Sequence, residues 1–99
     1  IDSNGKLWVN GGLVITSGSG APEEGFDCDF SQNFIVKGGI LIGTGGAAIA
    51  PSSASTQRSV TYNGVSARTG EFFVIIGPDG NPILRYKLPR TISRMAVFF

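Results

Sequence analysis

Apolar and polar residues alternate along most of this chain, and glycine breaks the alternation at nearly regular intervals. Leu7 and Val9 fall on one side of an extended segment, with Trp8 and Asn10 on the other; Phe34 and Val36 oppose Ile35 and Lys37 in the same way. Gly11-Gly12 and Gly38-Gly39 follow these segments, 27 residues apart. Each pair leads into a second apolar segment, Leu13–Ile15 and Ile40–Ile42. Residues 1–18 and 26–45 thus share one plan: an apolar residue before Asp, a short turn, a strand, Gly-Gly and a second strand. A repeat of this size, built only from short strands and glycine turns, signals a solenoid. Its coils would stack in parallel at about 4.8 Å. Phe34 would lie over Leu7 and Val36 over Val9, with Val14 and Leu41 returning inward after the corner. Glycine permits the positive-φ bend such a corner needs. A β-hairpin protein with accidental internal similarity is the alternative.

The rest of the chain changes character. Residues 46–58 are small and polar and read as a loop, with a short helical turn expected at Ala47–Ala50 and ended by Pro51. Strands resume at Ser59–Tyr62, Glu71–Ile76, Pro82–Lys87 and Arg94–Phe99. Pro78-Asp79-Gly80 marks a hairpin turn with glycine in the left-handed region. The pattern predicts one all-β domain, a parallel β-helix fragment. About two coils span 1–45, a loop 46–58, and C-terminal strands with an antiparallel hairpin cap 59–99. Two coils cannot bury a continuous core, and both ends of the sequence look cut. The chain therefore reads as the C-terminal fragment of a longer β-helix, with self-association through exposed solenoid ends expected.

Composition narrows the function. Charged residues are 15% of the chain, against roughly 25% in an average soluble domain. A net charge of +1 argues against a nucleic-acid surface, and no apolar run approaches the ~18 residues of a membrane span, so neither nucleic-acid binding nor membrane insertion is expected. Cys28 is the single cysteine, so no intrachain disulfide forms. Histidine is absent, which removes the commonest general base, and Cys28 has no histidine partner for nucleophilic catalysis. The charges are unevenly placed. Residues 1–29 hold five acids and one base, whereas residues 58–99 hold six bases and two acids.

Three chemistries are open to these residues. Asp2, Asn4, Asp27 and Asp29 occupy equivalent turns of the repeat and offer oxygen ligands to calcium, although Asp and Asn are also simply good turn formers. Trp8 stands on the outward phase of its strand, where an indole stacks on a pyranose ring or else packs on a neighbouring loop. Arg85, Lys87, Arg90 and Arg94 match uronate carboxylates, or form an ordinary solvated face. No arrangement singles out a catalytic acid or base.

Several runs resemble a bacterial family of carbohydrate-binding domain proteins: Ile1-Asp2-Ser3-Asn4-Gly5 followed by Asn10-Gly11-Gly12, Phe26-Asp27-Cys28-Asp29 before Lys37-Gly38-Gly39, and Gly38–Gly46 followed by Ala50-Pro51-Ser52-Ser53 and Gln57-Arg58-Ser59-Val60. Asp79-Gly80-Asn81 and the closing strand fit as well. The likeness covers nearly the whole chain but only the C-terminal portion of a family member. Cys28 departs from it, standing where the family often has an aromatic residue. The resemblance implies a right-handed parallel β-helix similar to the pectate-lyase architecture. It also implies a secreted or cell-surface location and binding of cellulose- or pectin-like polysaccharide, with calcium in the turns. Non-catalytic polysaccharide binding is the function expected. A structural or adhesive surface module and a pectate-lyase-like enzyme are the alternatives.

Overall fold

The computed structural model describes residues 1–47 and 50–99. Eight strands run in chain order: β1 (Asp2–Ser3), β2 (Leu7–Ser17), β3 (Asp27–Cys28), β4 (Phe34–Thr44), β5 (Ser59–Ala67), β6 (Phe72–Ile76), β7 (Pro82–Lys87) and β8 (Ile92–Phe98). A single 3₁₀ turn at Ser31–Asn33 precedes β4. The helical turn expected at Ala47–Ala50 centres on residues outside those described. Among the described residues no helix is long and apolar enough to cross a membrane.

The two halves of the repeat lie side by side. β1 pairs with β3 in parallel, Asp2 beside Asp27. β2 pairs with β4 in parallel, with Leu7 opposite Phe34, Val9 opposite Val36 and Val14 opposite Leu41. The glycine corner holds these long strands together. Gly12 and Gly39 adopt φ of 87° and 88°, and a Cβ on Gly39 would stand 2.4 Å from the Gly12 carbonyl oxygen. Both residues need the left-handed region, and Gly39 also needs to have no side chain.

The fold is nevertheless not a parallel β-helix. The main sheet has the order β2-β4-β8-β5, and both β4–β8 and β8–β5 are antiparallel, so the sheet is mixed. The β6–β7 pair forms a separate antiparallel hairpin. The reason lies on the side of β4 away from β2, where a third coil would stack. Its N-terminal half is taken by the serine-rich loop. Ser52 N–H donates to the Phe34 carbonyl at 2.7 Å, Thr56 N–H to that of Val36 at 2.9 Å, and the Gln57 side-chain amide to that of Gly39 at 2.6 Å. In the same stretch Val36 N–H donates to Ser55 Oγ at 3.0 Å. Its C-terminal half is taken by β8, running backward with Leu41 opposite Phe98 and Thr44 opposite Met95. The loop and β8 together occupy the edge of β4 on which a further coil would stack, so the expected solenoid does not continue there.

Two hydrophobic clusters sit on the two faces of the main sheet. The first gathers Phe26, Cys28, Phe34, Val36, Leu41, Ala96 and Phe98, with Leu7, Val9 and Val14 against it. Phe26, Phe34 and Phe98 form a triangle with ring centroids 5.3–5.8 Å apart, within the range of favourable aromatic pairs. The second joins Ile42, Ile92, Met95 and Val97 of the sheet to Leu88. Onto it pack Phe73, Ile75, Leu84 and Tyr86, the inner face of the hairpin. The hairpin thus covers one sheet face rather than capping an end. The half-buried Arg94 reaches across the fold to the buried carboxylate of Glu24 at 3.2 Å, while its Nε donates to Asn63 Oδ1 at 3.2 Å.

Candidate functional site

Parallel pairing of β2 and β4 decides which side chains meet on the outer surface. Leu7 and Val9, with Phe34 and Val36, turn into the first cluster, so Trp8 and Asn10 are sent outward beside Ile35 and Lys37. The ladder is irregular here: Val9 pairs with Val36 and Asn10 with Gly38, leaving Lys37 as the extra residue of a bulge. Bulges re-aim a side chain, and Lys37 joins Trp8, Asn10 and Ile35 around a shallow depression of about 290 Å³. Trp8 is 59% exposed. The Lys6 ammonium lies over the indole, 5.6 Å from its centroid, a cation–π contact. The platform combines an open aromatic plane, one side-chain amide and two flexible cations.

The other sequence-predicted sugar contacts lie elsewhere. Arg85 and Lys87 belong to β7 on the outer face of the hairpin, in a different sheet from Trp8, and Arg90 follows in an exposed turn. The Arg85 guanidinium carbon sits 3.8 Å from the Phe72 ring centroid. Arg94 is engaged by Glu24 and Asn63.

The predicted metal residues are brought together only in part. Asp2 and Asp27 are direct neighbours on β1 and β3, whereas Asn4 and Asp29 lie in the flanking exposed turns. Among the described residues no three acidic or cysteine side chains converge. Asp2 and Asp27 offer two carboxylates toward the six to eight oxygens calcium prefers. The pair does carry an electrostatic cost. Burial, and then the charges of Asp2, Glu24 and Asp29, raise the carboxyl of Asp27 above the ordinary aspartate value of 3.8. The folded state therefore holds the Asp27 proton more tightly than the unfolded chain does. The resulting stability is fully present below pH 3.8 and is lost as pH rises through the raised folded value. Asp27→Asn is expected to remove that loss and to raise the denaturation midpoint at neutral pH relative to wild type. Asp2→Asn should move the Asp27 titration, followed by NMR, toward lower pH.

A second concavity was not legible from single motifs. Between the hairpin and the second face of the main sheet lies an apolar groove of about 580 Å³, lined by residues that include Ile40, Val60, Tyr62, Phe73, Ile76 and Phe99. Its sequence signal is the unbroken apolar run Phe72-Phe73-Val74-Ile75-Ile76, which reads as a strand covered on both faces.

Comparison of the chain with family models, curated proteins and solved structures gives no significant match.

Proposed function

We propose that this chain is a non-catalytic polysaccharide-binding module, working outside the cell, whose contact surface is the Trp8 platform. The observation that carries this reading is the exposed indole of Trp8 flanked by Asn10 and Lys37 in one depression. Burying an aromatic plane against an apolar sugar face gains area without demanding a deep pocket. The Asn10 amide both donates to and accepts from hydroxyls. Lys6 and Lys37 add positive charge at the edge of the ring, which favours a pectin-like polymer with uronate carboxylates over a neutral cellulose-like one.

Trp8 is the only tryptophan in the chain, so its fluorescence reports directly on the site. Titration with oligogalacturonate is expected to shift the emission and to give saturable binding that weakens with salt. Trp8→Ala should weaken binding at least about 10-fold, the equivalent of roughly 1.4 kcal/mol. Lys37→Ala should reduce it by less and flatten its salt dependence. Unchanged emission together with no retention on insoluble pectate or cellulose would rule the reading out.

A further inference from the structure

β6 is apolar at every position, and its two faces have different fates. Phe73 and Ile75, with Leu84 and Tyr86 of β7, pack onto the main sheet. Phe72, Val74 and Ile76, with Ile83 across from them, are exposed, Ile76 and Ile83 at 55% and 59%, and Val74, Ile76 and Ile83 also border the apolar groove. A strand covered on one face alternates in sequence, and one covered on both reads as a continuous apolar run. This hairpin has the second kind of sequence and the first kind of surroundings. Its open face also carries Arg85 and Lys87, which are opposite Val74 and Phe72. Neither forms an ion pair, since Arg94–Glu24 is the one salt bridge among the described residues. The face therefore calls for an occupant that is both apolar and anionic.

The same chain displays such a surface. Asp2 and Asp27 are neighbours on the β1–β3 pair, and the charge of Asp29, in the exposed turn that follows β3, reaches Asp27 as well; Phe30, next in the chain, is 57% exposed. None of these carboxylates has an ion-pair partner among the described residues. The two surfaces belong to separate two-stranded sheets. We propose that the outer hairpin face of one copy docks head to tail on the acidic, Phe30-bearing surface of a second copy. Arg85 and Lys87 face Asp2 and Asp29, and the apolar stripe of the hairpin covers Phe30. Such an interface is heterologous: each copy offers both halves, so assembly proceeds to rings or open chains rather than stopping at a symmetric dimer. Trp8 lies in neither surface, and the contact stands whether or not the platform binds sugar. If it does, a row of platforms on one polymer adds avidity without new contacts.

Sedimentation velocity on the full chain tests this over a range of concentrations at low and high salt. The mean mass is expected to rise with concentration and to fall back as salt screens the charges. Arg85→Glu/Lys87→Glu and Asp2→Lys/Asp29→Lys should each raise the dissociation constant by about 30-fold or more. Mixing the two variants should restore assembly, because each supplies the charge the other has lost; that recovery also shows both to be folded. A wild type that stays monomeric throughout, or association insensitive to salt and to both charge reversals, overturns the proposal. So does a protein that is monomeric in solution yet sediments with phosphatidylserine vesicles, which would assign the hairpin face to a lipid surface.

Discussion

Phe98→Ala is expected to destabilise the chain by about 3–5 kcal/mol, the usual cost of truncating a fully buried aromatic. Phe98 is 1% exposed, on β8 of the main sheet, between Leu41 on one neighbouring strand and Ser59 on the other. Its ring closes the triangle with Phe26 and Phe34, edge-on to both. Removing it opens a void that three separate chain segments cannot jointly close: the turn at Phe26, the start of β4 and the end of β8. Domains of this size have only about 5–15 kcal/mol of net stability, so the loss is a large fraction of the whole. It corresponds to a fall in Tm on the order of 15 °C or more. Chemical denaturation should show a lower midpoint with an unchanged slope. Phe99→Ala is the control. The neighbouring side chain alternates to the other face and is half exposed, so its truncation should stay within about 0.5 kcal/mol. Equal effects from the two would mean that β8 does not sit in the register described.

The contrast between these adjacent phenylalanines also shows where sequence reading works and where it stops. Alternation marks inside from outside, and it does so correctly for Trp8 against Val9 and for Ile35 against Val36. The Gly-Gly repeat identifies which segments pair and in what register, because the corners have to coincide for the strands to approach. The Pro78-Asp79-Gly80 turn locates the hairpin for an equally local reason. What was not legible is the occupant of the far side of β4. A backbone edge offers the same amides and carbonyls to a parallel coil, an antiparallel strand or a loop. Ser52, Ser55, Thr56 and Gln57 read simply as polar linker residues, yet their backbone and side-chain groups complete that edge. Strand direction is likewise not encoded in alternation, so nothing in Ile92–Phe98 announces that it runs against β4. The Arg94–Glu24 pair joins residues 70 apart in the chain; its partners look like ordinary surface charges until the fold is known.

Gly39→Ala is expected to cost more than Gly12→Ala, although the two glycines are equivalent in the repeat and share nearly the same φ, 88° and 87°. Each substitution forces a side chain into the left-handed region, a strain of roughly 1–2 kcal/mol. At Gly12 nothing lies within 4 Å of the new Cβ, so the strain is the whole cost. At Gly39 the new Cβ meets the Gly12 carbonyl oxygen at 2.4 Å and the Gly11 carbonyl carbon at 2.8 Å. Both are backbone atoms of the paired strand, and no side chain can swing aside. β2 has to move away from β4, adding an overpacking cost of about 1–3 kcal/mol. Denaturation midpoints of the two variants measure the difference. The displacement has a second consequence, because Trp8 and Asn10 stand on β2 while Ile35 and Lys37 stand on β4. Separating the strands widens the depression between them, so Gly39→Ala should also change the Trp8 emission and weaken sugar binding. Gly12→Ala, with no atom pushed aside, should leave both nearly as they are. Equal losses of stability from the two substitutions would show that the strands are not held at this close approach, and that the platform is fixed by other contacts.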